Sequence, residues 1–306
     1  MIKIDNLVKT FGAKRAVDGV SFSVEKGEVL GFLGPNGAGK STTMRMVTGF
    51  MPPTAGRVSI GQYDVAESPL EPKRLIGYLP ENAAAYPDMT VHGFLSFAAE
   101  LRGLDGSARK KAIGRVVDLC FLDAVLHQSI DTLSKGYKHR TCLAQALIHD
   151  PDVLIMDEPT DGLDPNQKHE VRNPIRELGK DKAIVFSTHI LEEVDAACTR
   201  AIIIDRGKIV ANGTPEELRS MSKLAGAVTL SAHGASEEKL ASLGRVERLN
   251  GAWRIYPHDK SKAPELAQAV VDLVAREGWK VDGMYSERGE LDEVFRRITL
   301  PDTVKQ

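Results

Sequence analysis

The chain has 306 residues, a length typical of two domains, with 42% hydrophobic and 27% charged residues. Forty basic residues against 42 acidic ones leave a formal charge of -2, which removes the usual electrostatic case for a dedicated nucleic-acid binder. The three cysteines, Cys120, Cys142 and Cys198, form no CxxC pair, which indicates buried thiols in a reducing compartment rather than a metal or redox role.

The first residues, Met1–Asn6, lack the apolar stretch of a secretory signal. Apolar runs such as Val29–Leu33 and Ala201–Ile204 are far shorter than the roughly 20 residues that a membrane-spanning helix needs. We therefore expect a soluble, cytoplasmic chain that acts at a membrane only through a partner.

The first two thirds of the chain alternate short apolar runs with helical stretches, the pattern of an α/β domain. Ile2–Thr10 and Val17–Val24 alternate in polarity, which predicts an antiparallel flank. Unbroken apolar runs, typical of central strands buried on both faces, are Val29–Leu33, Val153–Asp157, Ala183–Ser187 and Ala201–Asp205. Between about residues 82 and 133 the pattern is mostly helical, and it includes helices predicted over 91–101 and 108–119.

From about Ser220 the pattern changes to strand, helix, two strands, helix and strand. Asn250-Gly251 joins two alternating strands and predicts a tight hairpin, because both turn positions need φ > 0. The order β-α-β-β-α-β resembles a ferredoxin-like unit, and a last helix is predicted over 291–298. We place the domain boundary near Met221, which gives domains of residues 1–221 and 222–306.

A glycine-rich segment, residues 34–41, fits the phosphate-loop pattern G-x-x-x-x-G-K-[ST] and lies between a predicted strand and a predicted helix. Its glycines allow backbone N–H groups to approach phosphate oxygens, and the following helix adds partial positive charge at its N-terminus. Lys40 is expected to reach the β- and γ-phosphates, Ser41 to bind Mg²⁺, and Thr42 to reach the α-phosphate.

Asp157 and Glu158 end a buried apolar strand, where carboxylates carry a desolvation cost unless a cation or a reacting group uses them. Beside a phosphate loop, Asp157 suits the second coordination sphere of Mg²⁺. Glu158 suits a general base that polarises the attacking water.

Three further segments, in the right order, resemble ATP-binding-cassette (ABC) proteins. Leu133–Tyr137 resembles the LSGGQ signature, Asp157–Asp164 resembles the Walker B element and D-loop, and Ser187–His189 resembles the switch histidine. The resemblance covers about residues 2–218. It implies a P-loop NTPase cassette of mixed core sheet, antiparallel β flank and helical subdomain (about residues 82–133), followed here by the small α+β domain.

The resemblance also implies that two cassettes pair head-to-tail, with each ATP between the phosphate loop of one and the signature of the other. Ser134 and Gly136 would contact the γ-phosphate across the dimer, and Asp164 would communicate between the two sites. His189 would stabilise the γ-phosphate and the attacking water, and Phe11 would stack on adenine. The predicted catalytic residues are thus Glu158, His189 and Lys40, the metal ligands Ser41, Asp157 and Glu81, and the nucleotide-binding residues Phe11, Gly34, Pro35, Asn36, Gly37, Ala38, Gly39, Lys40, Ser41, Thr42, Ser134, Gly136 and Asp164.

The chain departs from the family pattern at three places. Lys135 replaces the first signature glycine and Tyr137 replaces the glutamine, although Ser134 and Gly136 are kept. Pro80-Glu81-Asn82 stands where the family has its Q-loop glutamine. Glu81 either binds Mg²⁺ or water at the site, or is a solvated acid of a surface loop.

Several sequence variants resemble one branch of ABC ATPases that serves two-component exporters, including sodium-, drug- and gliding-motility-type systems. These variants are Tyr78–Asn82, Leu133–Tyr137 and the terminal segment Leu291–Thr299. The resemblance implies an ATPase subunit that binds ATP and Mg²⁺ and powers an exporter. Its implied partners are a second copy of itself and an integral-membrane permease, without nucleic acid, at the inner face of the cell membrane.

Two other interpretations stay open at this point. A soluble ABC mechanoprotein acting on ribosomes or DNA would usually carry two cassettes, a long coiled coil or zinc-binding cysteine pairs, and this sequence has none of them. A regulatory cassette that binds ATP without hydrolysis is opposed by Glu158 and His189, whereas the substitution at Glu81 keeps it open.

Overall fold

The computed structural model describes residues 1–82, 84–259 and 263–299. The chain forms two compact units that divide between Thr214 and Pro215. The division comes before the predicted boundary near Met221, because the short helix over residues 215–220 contacts the last helix of the second unit. Residues 300–306 of the predicted second domain lie outside the described residues.

The elements of the first unit follow in chain order. Its strands are β1 (Ile2–Phe11), β2 (Lys14–Val24), β3 (Val29–Leu33), β4 (Ala55–Ile60), β5 (Tyr63–Asp64), β6 (Ile76–Leu79), β7 (Val153–Asp157), β8 (Ala183–Thr188), β9 (Arg200–Asp205) and β10 (Lys208–Gly213). Its helices are α1 (Lys40–Val47), α2 (Glu71–Leu75), α3 (Val91–Leu101), α4 (Gly106–Cys120), α5 (Lys135–Leu147), α6 (Pro165–Leu178) and α7 (Leu191–Ala197). Two 3-10 helices, Asp123–Val125 and Ile130–Thr132, connect α4 to α5.

A six-stranded core sheet has the order β10-β9-β3-β8-β7-β6. All neighbouring pairs are parallel except β9 and β10, so the predicted mixed sheet is confirmed. Every residue of β3, β7 and β8 is buried, which explains why these strands read as unbroken apolar runs. The parallel strands direct their carboxyl ends to one edge, where an α/β sheet ordinarily binds its ligand.

The predicted antiparallel flank is a second sheet of order β2-β1-β4-β5. Buried and exposed residues alternate along β1 and β2, as expected for strands with one face on the core and one face in solvent. Between β6 and β7 the helices α3, α4 and α5 pack around a common apolar cluster, and α3 and α4 lie within the region predicted as mostly helical, about residues 82–133. Thr90 caps α3 by accepting a hydrogen bond from the N–H of Gly93 at 3.0 Å.

The second unit contains α8 (Pro215–Ser220), β11 (Val228–His233), α9 (Glu237–Ala241), β12 (Arg245–Leu249), β13 (Ala252–Tyr256), α10 (Ala263–Glu277), β14 (Lys280–Ser286) and α11 (Leu291–Thr299). The strands form one antiparallel sheet of order β12-β13-β11-β14. The hairpin predicted at Asn250-Gly251 joins β12 to β13. Gly251 has φ of 80°, whereas Asn250 does not have a positive φ, so the expectation of left-handed backbone at both turn positions was wrong for Asn250. The chain therefore follows the predicted β-α-β-β-α-β order, while the ferredoxin-like classification stays a prediction.

Cys120 and Cys142 lie in the apolar cluster of the helical region, in agreement with the expectation of buried thiols, whereas Cys198 is only partly buried against it. Burial raises the pKa of the Cys120 thiol to about 12 and that of the Cys142 thiol to about 11, so both stay protonated and unreactive at neutral pH. No helix within the described ranges combines the length and the apolar character needed to cross a bilayer.

His149, two residues after α5, is held in its neutral form. Its Nε2 lies 3.1 Å from the carbonyl oxygen of Ile76 and so carries the donated proton. Its Nδ1 is buried and has no hydrogen-bond partner among the residues that the structure describes. Burial, with Arg102 nearby, lowers the pKa of His149 to about 4.

We predict that His149 makes the unfolding free energy fall in weak acid. An unfolded histidine binds a proton near pH 6.5, whereas the folded one does so only near pH 4, so the stabilisation is present above pH 6.5 and is lost as the pH falls towards 4. Between these values the stability of the wild type relative to His149→Gln should decrease by about 2 kcal/mol, allowing for partial exposure of the ring. Urea titrations at several pH values measure this, with exposed His127→Gln as the control. A pH-independent difference would contradict the prediction.

Candidate functional site

Three neighbouring parallel strands of the core sheet, β3, β8 and β7, end at the same edge. In the register, Leu33 of β3 lies beside Thr188 of β8, and Asp157 of β7 lies beside Ser187 of β8. The segments that follow the three strands therefore meet at the same edge. This arrangement brings the phosphate-loop pattern next to Glu158 and His189, as their positions after apolar strands predicted.

The glycine-rich segment leads from β3 into α1 through residues that need left-handed backbone. Gly37 has φ of 81°, and Gly39, at the N-cap of α1, has φ of 109°. No side chain in the described part of the chain caps α1. The N–H groups of its first turn are therefore available to an anion, and the helix adds partial positive charge there.

Lys40 is the first residue of α1 and is 6% exposed. Its Nζ lies 2.7 Å from the carbonyl oxygen of Gly34 and 3.2 Å from Oε1 of Glu158. The other carboxylate oxygen of Glu158 lies 2.8 Å from Nδ1 of His189. One buried carboxylate thus joins the phosphate-loop lysine to the histidine.

Asp157 has one oxygen satisfied and one free. Its Oδ1 accepts hydrogen bonds from the hydroxyls of Ser41, at 3.1 Å, and Ser187, at 2.5 Å. Its Oδ2 is buried with no hydrogen-bond partner within the described part of the chain. An orphaned carboxylate oxygen beside the Ser41 hydroxyl fits a hard cation such as Mg²⁺.

No group of three or more His, Cys, Asp or Glu side chains that could enclose a metal exists among the described residues.

Glu158 is fixed through its backbone as well. It has φ of 50°, a left-handed conformation that is uncommon for a residue other than glycine. Its N–H donates to both oxygens of Ser187, the hydroxyl at 3.0 Å and the carbonyl at 3.2 Å. Ser187 therefore holds both carboxylate residues, Asp157 through its side chain and Glu158 through its main chain.

A cavity of about 500 Å³ opens above the phosphate loop. Its lining comprises Phe11, Lys14, Ala16, Pro35, Asn36, Gly37, Gly39, Lys40, Ser41, Thr42, Glu81, Glu158, Asp161 and His189. Phe11 is 47% exposed, so its ring is available for stacking.

Burial, with Asp157 and Glu81 nearby, raises the pKa of Tyr78, which lies on the strand leading to Glu81.

Sequence reasoning assigned no role to Lys14, Ala16, Asp161 or Ser187. Asp161 and Ser187 are polar residues next to predicted strand ends, inside the motifs that resemble the ABC family. That position is the sequence signal that could have identified them as residues of the site. Lys14 and Ala16 belong to the antiparallel flank and carry no such signal.

Not every predicted nucleotide-binding residue lies at this cavity. Gly34 packs behind the loop, where a Cβ would lie 2.5 Å from the carbonyl oxygen of Ile204, and Ala38 is buried. Ser134, Gly136 and Asp164 do not line the cavity. Ser134 caps α5 and Asp164 caps α6, and both are exposed.

Comparison with known proteins identifies the cassette. The family model described as ABC transporter matches residues 17–161. The chain is 36% identical over 253 residues to the linearmycin resistance ATP-binding protein LnrL of Bacillus subtilis, which covers 82% of this chain and 81% of the relative. It is 32% identical over 304 residues to the Nod factor export ATP-binding protein I of Rhizobium etli, which covers 97% of this chain and 93% of the relative.

A solved structure described as the ATP binding subunit of an ABC transporter superposes with a TM-score of 0.67 and 31% identity. The superposition covers 72% of this chain and 92% of that chain.

We predict that Ser187→Ala weakens Mg²⁺ binding at this site. The change removes one donor to a buried carboxylate, a loss of about 1.5–3 kcal/mol, and leaves Asp157 free to turn. The Mg²⁺ concentration for half-maximal nucleotide binding should rise about 10- to 150-fold. Ser21→Ala, which removes the hydroxyl that accepts from the N–H of Asn6, is the matched control. An unchanged Mg²⁺ requirement in Ser187→Ala would argue against this role.

Proposed function

The chain belongs to the ABC transporter family as an ATP-binding subunit, and we propose that it hydrolyses ATP to power export by a membrane partner. The observation that carries this proposal is the meeting of Lys40, Asp157 and Glu158 at the carboxyl edge of the core sheet. Together they supply a phosphate-binding cation, a place for Mg²⁺ and a base.

The phosphate loop supplies binding. Lys40 and the N–H groups at the start of α1 would hold the β- and γ-phosphates of ATP, and Phe11 would stack on the adenine. Ser41 and Asp157 would hold Mg²⁺, which when bound neutralises charge on the phosphates. Glu81, at the rim of the same cavity, would bind the cation or its water.

Glu158 would act as the general base. It would accept a proton from a water whose oxygen bonds to the γ-phosphorus, while the bond from that phosphorus to the bridging oxygen breaks and ADP leaves. His189, whose Nδ1 lies 2.8 Å from the same carboxylate, would donate to Glu158 and orient it. In its doubly protonated form, the Nε2–H of His189 would donate to the γ-phosphate. This catalysis consists of positioning and electrostatic stabilisation, without a covalent intermediate.

A second copy of the chain would complete each site. Ser134 and Gly136, the residues that resemble the signature, lie at the start of α5 and outside the cavity. The start of α5 also carries the positive end of the helix dipole, which favours a phosphate from outside the protomer. Head-to-tail pairing of two copies would place these groups on the γ-phosphate that the partner binds.

Export is supported by the relatives. One is named for linearmycin resistance and the other for Nod factor export, and the latter spans nearly the whole chain. We infer an integral-membrane permease as the partner and a location on the inner face of the membrane.

We predict that Glu158→Gln forms an ATP-dependent homodimer. The amide keeps the size of the side chain and removes the base, so ATP binds and persists between the two copies. Light scattering with ATP and Mg²⁺ should show twice the monomer mass, and the rate of phosphate release should fall at least 100-fold. A Lys40→Met, Glu158→Gln double variant is the control and should stay monomeric. A single variant that stays monomeric at high concentration would contradict head-to-tail pairing.

We also predict that this trapped form retains its membrane partner. Tagged Glu158→Gln, isolated from gently solubilised membranes with ATP and Mg²⁺, should carry a stoichiometric multi-span protein, because the ATP-bound dimer is the partner-competent form. Mass spectrometry identifies the protein, and the Lys40→Met double variant again serves as the control. Ribosomes, DNA or nothing recovered with a protein that still dimerises would contradict the exporter assignment.

A further inference from the structure

The loop that carries His189 is short and hydrogen-bonded. Only His189 and Ile190 lie between the end of β8 and the start of α7. The N–H of Ile190 donates to the Thr188 hydroxyl at 2.9 Å, and the N–H of Glu193 donates to the carbonyl oxygen of Ile190 at 3.2 Å. The backbone beside His189 is therefore connected to the first turn of α7, and a shift of that turn also moves the histidine.

The His189 ring itself is not fixed by packing. Its side chain is 45% exposed and lines the nucleotide cavity. Within the described residues the ring bonds to Glu158, whose other oxygen lies 3.2 Å from Nζ of Lys40. The position of the ring therefore depends on its contact with Glu158 and on the backbone at the start of α7.

Glu193 is the buried acid of that first turn. It is 1% exposed, and neither oxygen of its carboxylate has a hydrogen-bond partner in the part of the chain that the structure describes. Burial raises the pKa of this carboxyl, although Thr188 and Arg172 oppose the rise. A buried acid without hydrogen bonds is costly, and the phosphate loop and its carboxylates give Glu193 no role.

Arg172 of α6 faces this carboxylate. Its Nη2 lies 3.9 Å from Oε1 of Glu193. Within the described ranges, Nη2 and Nε of Arg172 are likewise buried without a hydrogen-bond partner. A hydrogen bond between such charged groups is about 2.7–2.9 Å long, so the two groups, each lacking a partner, lie about 1 Å too far apart to form one.

Two contacts determine where the first turn of α7 lies. His189 connects it to Glu158, and the attraction of Arg172 acts on Glu193. A γ-phosphate bound as proposed would draw Lys40 away from Glu158 and would accept a hydrogen bond from His189, so the first contact would be rearranged. Closely packed elements take discrete arrangements, and the arrangement that satisfies both buried groups is the one in which Glu193 and Arg172 bond.

We propose that Glu193 and Arg172 are positioning residues for His189, and that they form a hydrogen-bonded pair when His189 contacts the γ-phosphate. The proposal rests on the proposed function, in which His189 donates to that phosphate. Its consequence is selectivity, because the pair stabilises the cassette with a nucleoside triphosphate bound and not with a diphosphate. Neither residue lines the cavity, so their effect on affinity passes through His189.

The test compares a triphosphate with a diphosphate on the full-length chain. Calorimetry with Mg²⁺ measures the Kd of adenylyl imidodiphosphate, which is not hydrolysed, and the Kd of ADP. Glu193→Gln keeps the size of the side chain and removes its charge. It should weaken binding of the triphosphate analogue about 5- to 150-fold, the factor that corresponds to an unsatisfied buried group, and leave the affinity for ADP unchanged. Glu192→Gln is the matched control, because Glu192 is the exposed neighbour, and it should change neither affinity.

Further variants isolate the path. Arg172→Met, which keeps an unbranched stem and removes the guanidinium, should reproduce the loss, and its combination with Glu193→Gln should add little. In a His189→Ala background, Glu193→Gln should no longer separate the analogue from ADP, because the ring through which the pair acts is gone. Unchanged ADP binding shows that each variant is folded. If Glu193→Gln loses its fold, Arg172→Lys, which keeps the charge but not the planar fork, provides the same comparison with a smaller loss.

Three results would overturn the proposal: unchanged affinity for the analogue in Glu193→Gln, equal losses for the analogue and ADP, or a loss that persists in the His189→Ala background. The second would mean that the pair only stabilises the fold. Failure of the proposed function is distinguishable, because it would appear in the wild type as absent ATP binding or turnover, whereas failure of this proposal leaves both intact.

Discussion

Two carboxylates end a strand that is buried on both faces, and their need for partners determines the rest of the site. A buried charge is costly unless it is paired. Lys40 and Ser41 provide partners from the helix after β3, and Ser187 provides one from the end of β8. Only a parallel sheet brings these three strand ends to one edge, so the chemistry of Asp157 and Glu158 depends directly on the topology of the core.

A bound nucleotide would supply the partners that these side chains lack. Glu158 binds Lys40 on one side and His189 on the other, while Asp157 keeps one buried oxygen without a hydrogen-bond partner. Triphosphate oxygens and their cation carry the charges and coordination positions that these groups require. The charges at the site therefore suit the proposed Mg²⁺ and phosphate together rather than either one alone.

Much of this geometry could be predicted from the sequence, because apolar runs locate strand ends and parallel strands end together. That reasoning correctly placed the phosphate loop beside Glu158 and His189. It could not assign the double hydrogen bonding of Ser187, which depends on a register that places residues 157 and 187 side by side. It also missed Lys14, which belongs to the flanking sheet and reaches the cavity only through tertiary packing. No sequence pattern assigns the short helix over residues 215–220 to one unit or the other.

The left-handed backbone of Glu158 has a consequence for how this position changes in evolution. Glycine or asparagine would relieve a strain of about 1 kcal/mol there, and either would remove the carboxylate that we propose as the base. At this residue, selection for a more stable fold and selection for turnover therefore act in opposite directions. A relative that no longer hydrolyses ATP can carry glycine or asparagine at this position without loss. The amino acid found here can therefore distinguish cassettes that hydrolyse ATP from cassettes that only bind it.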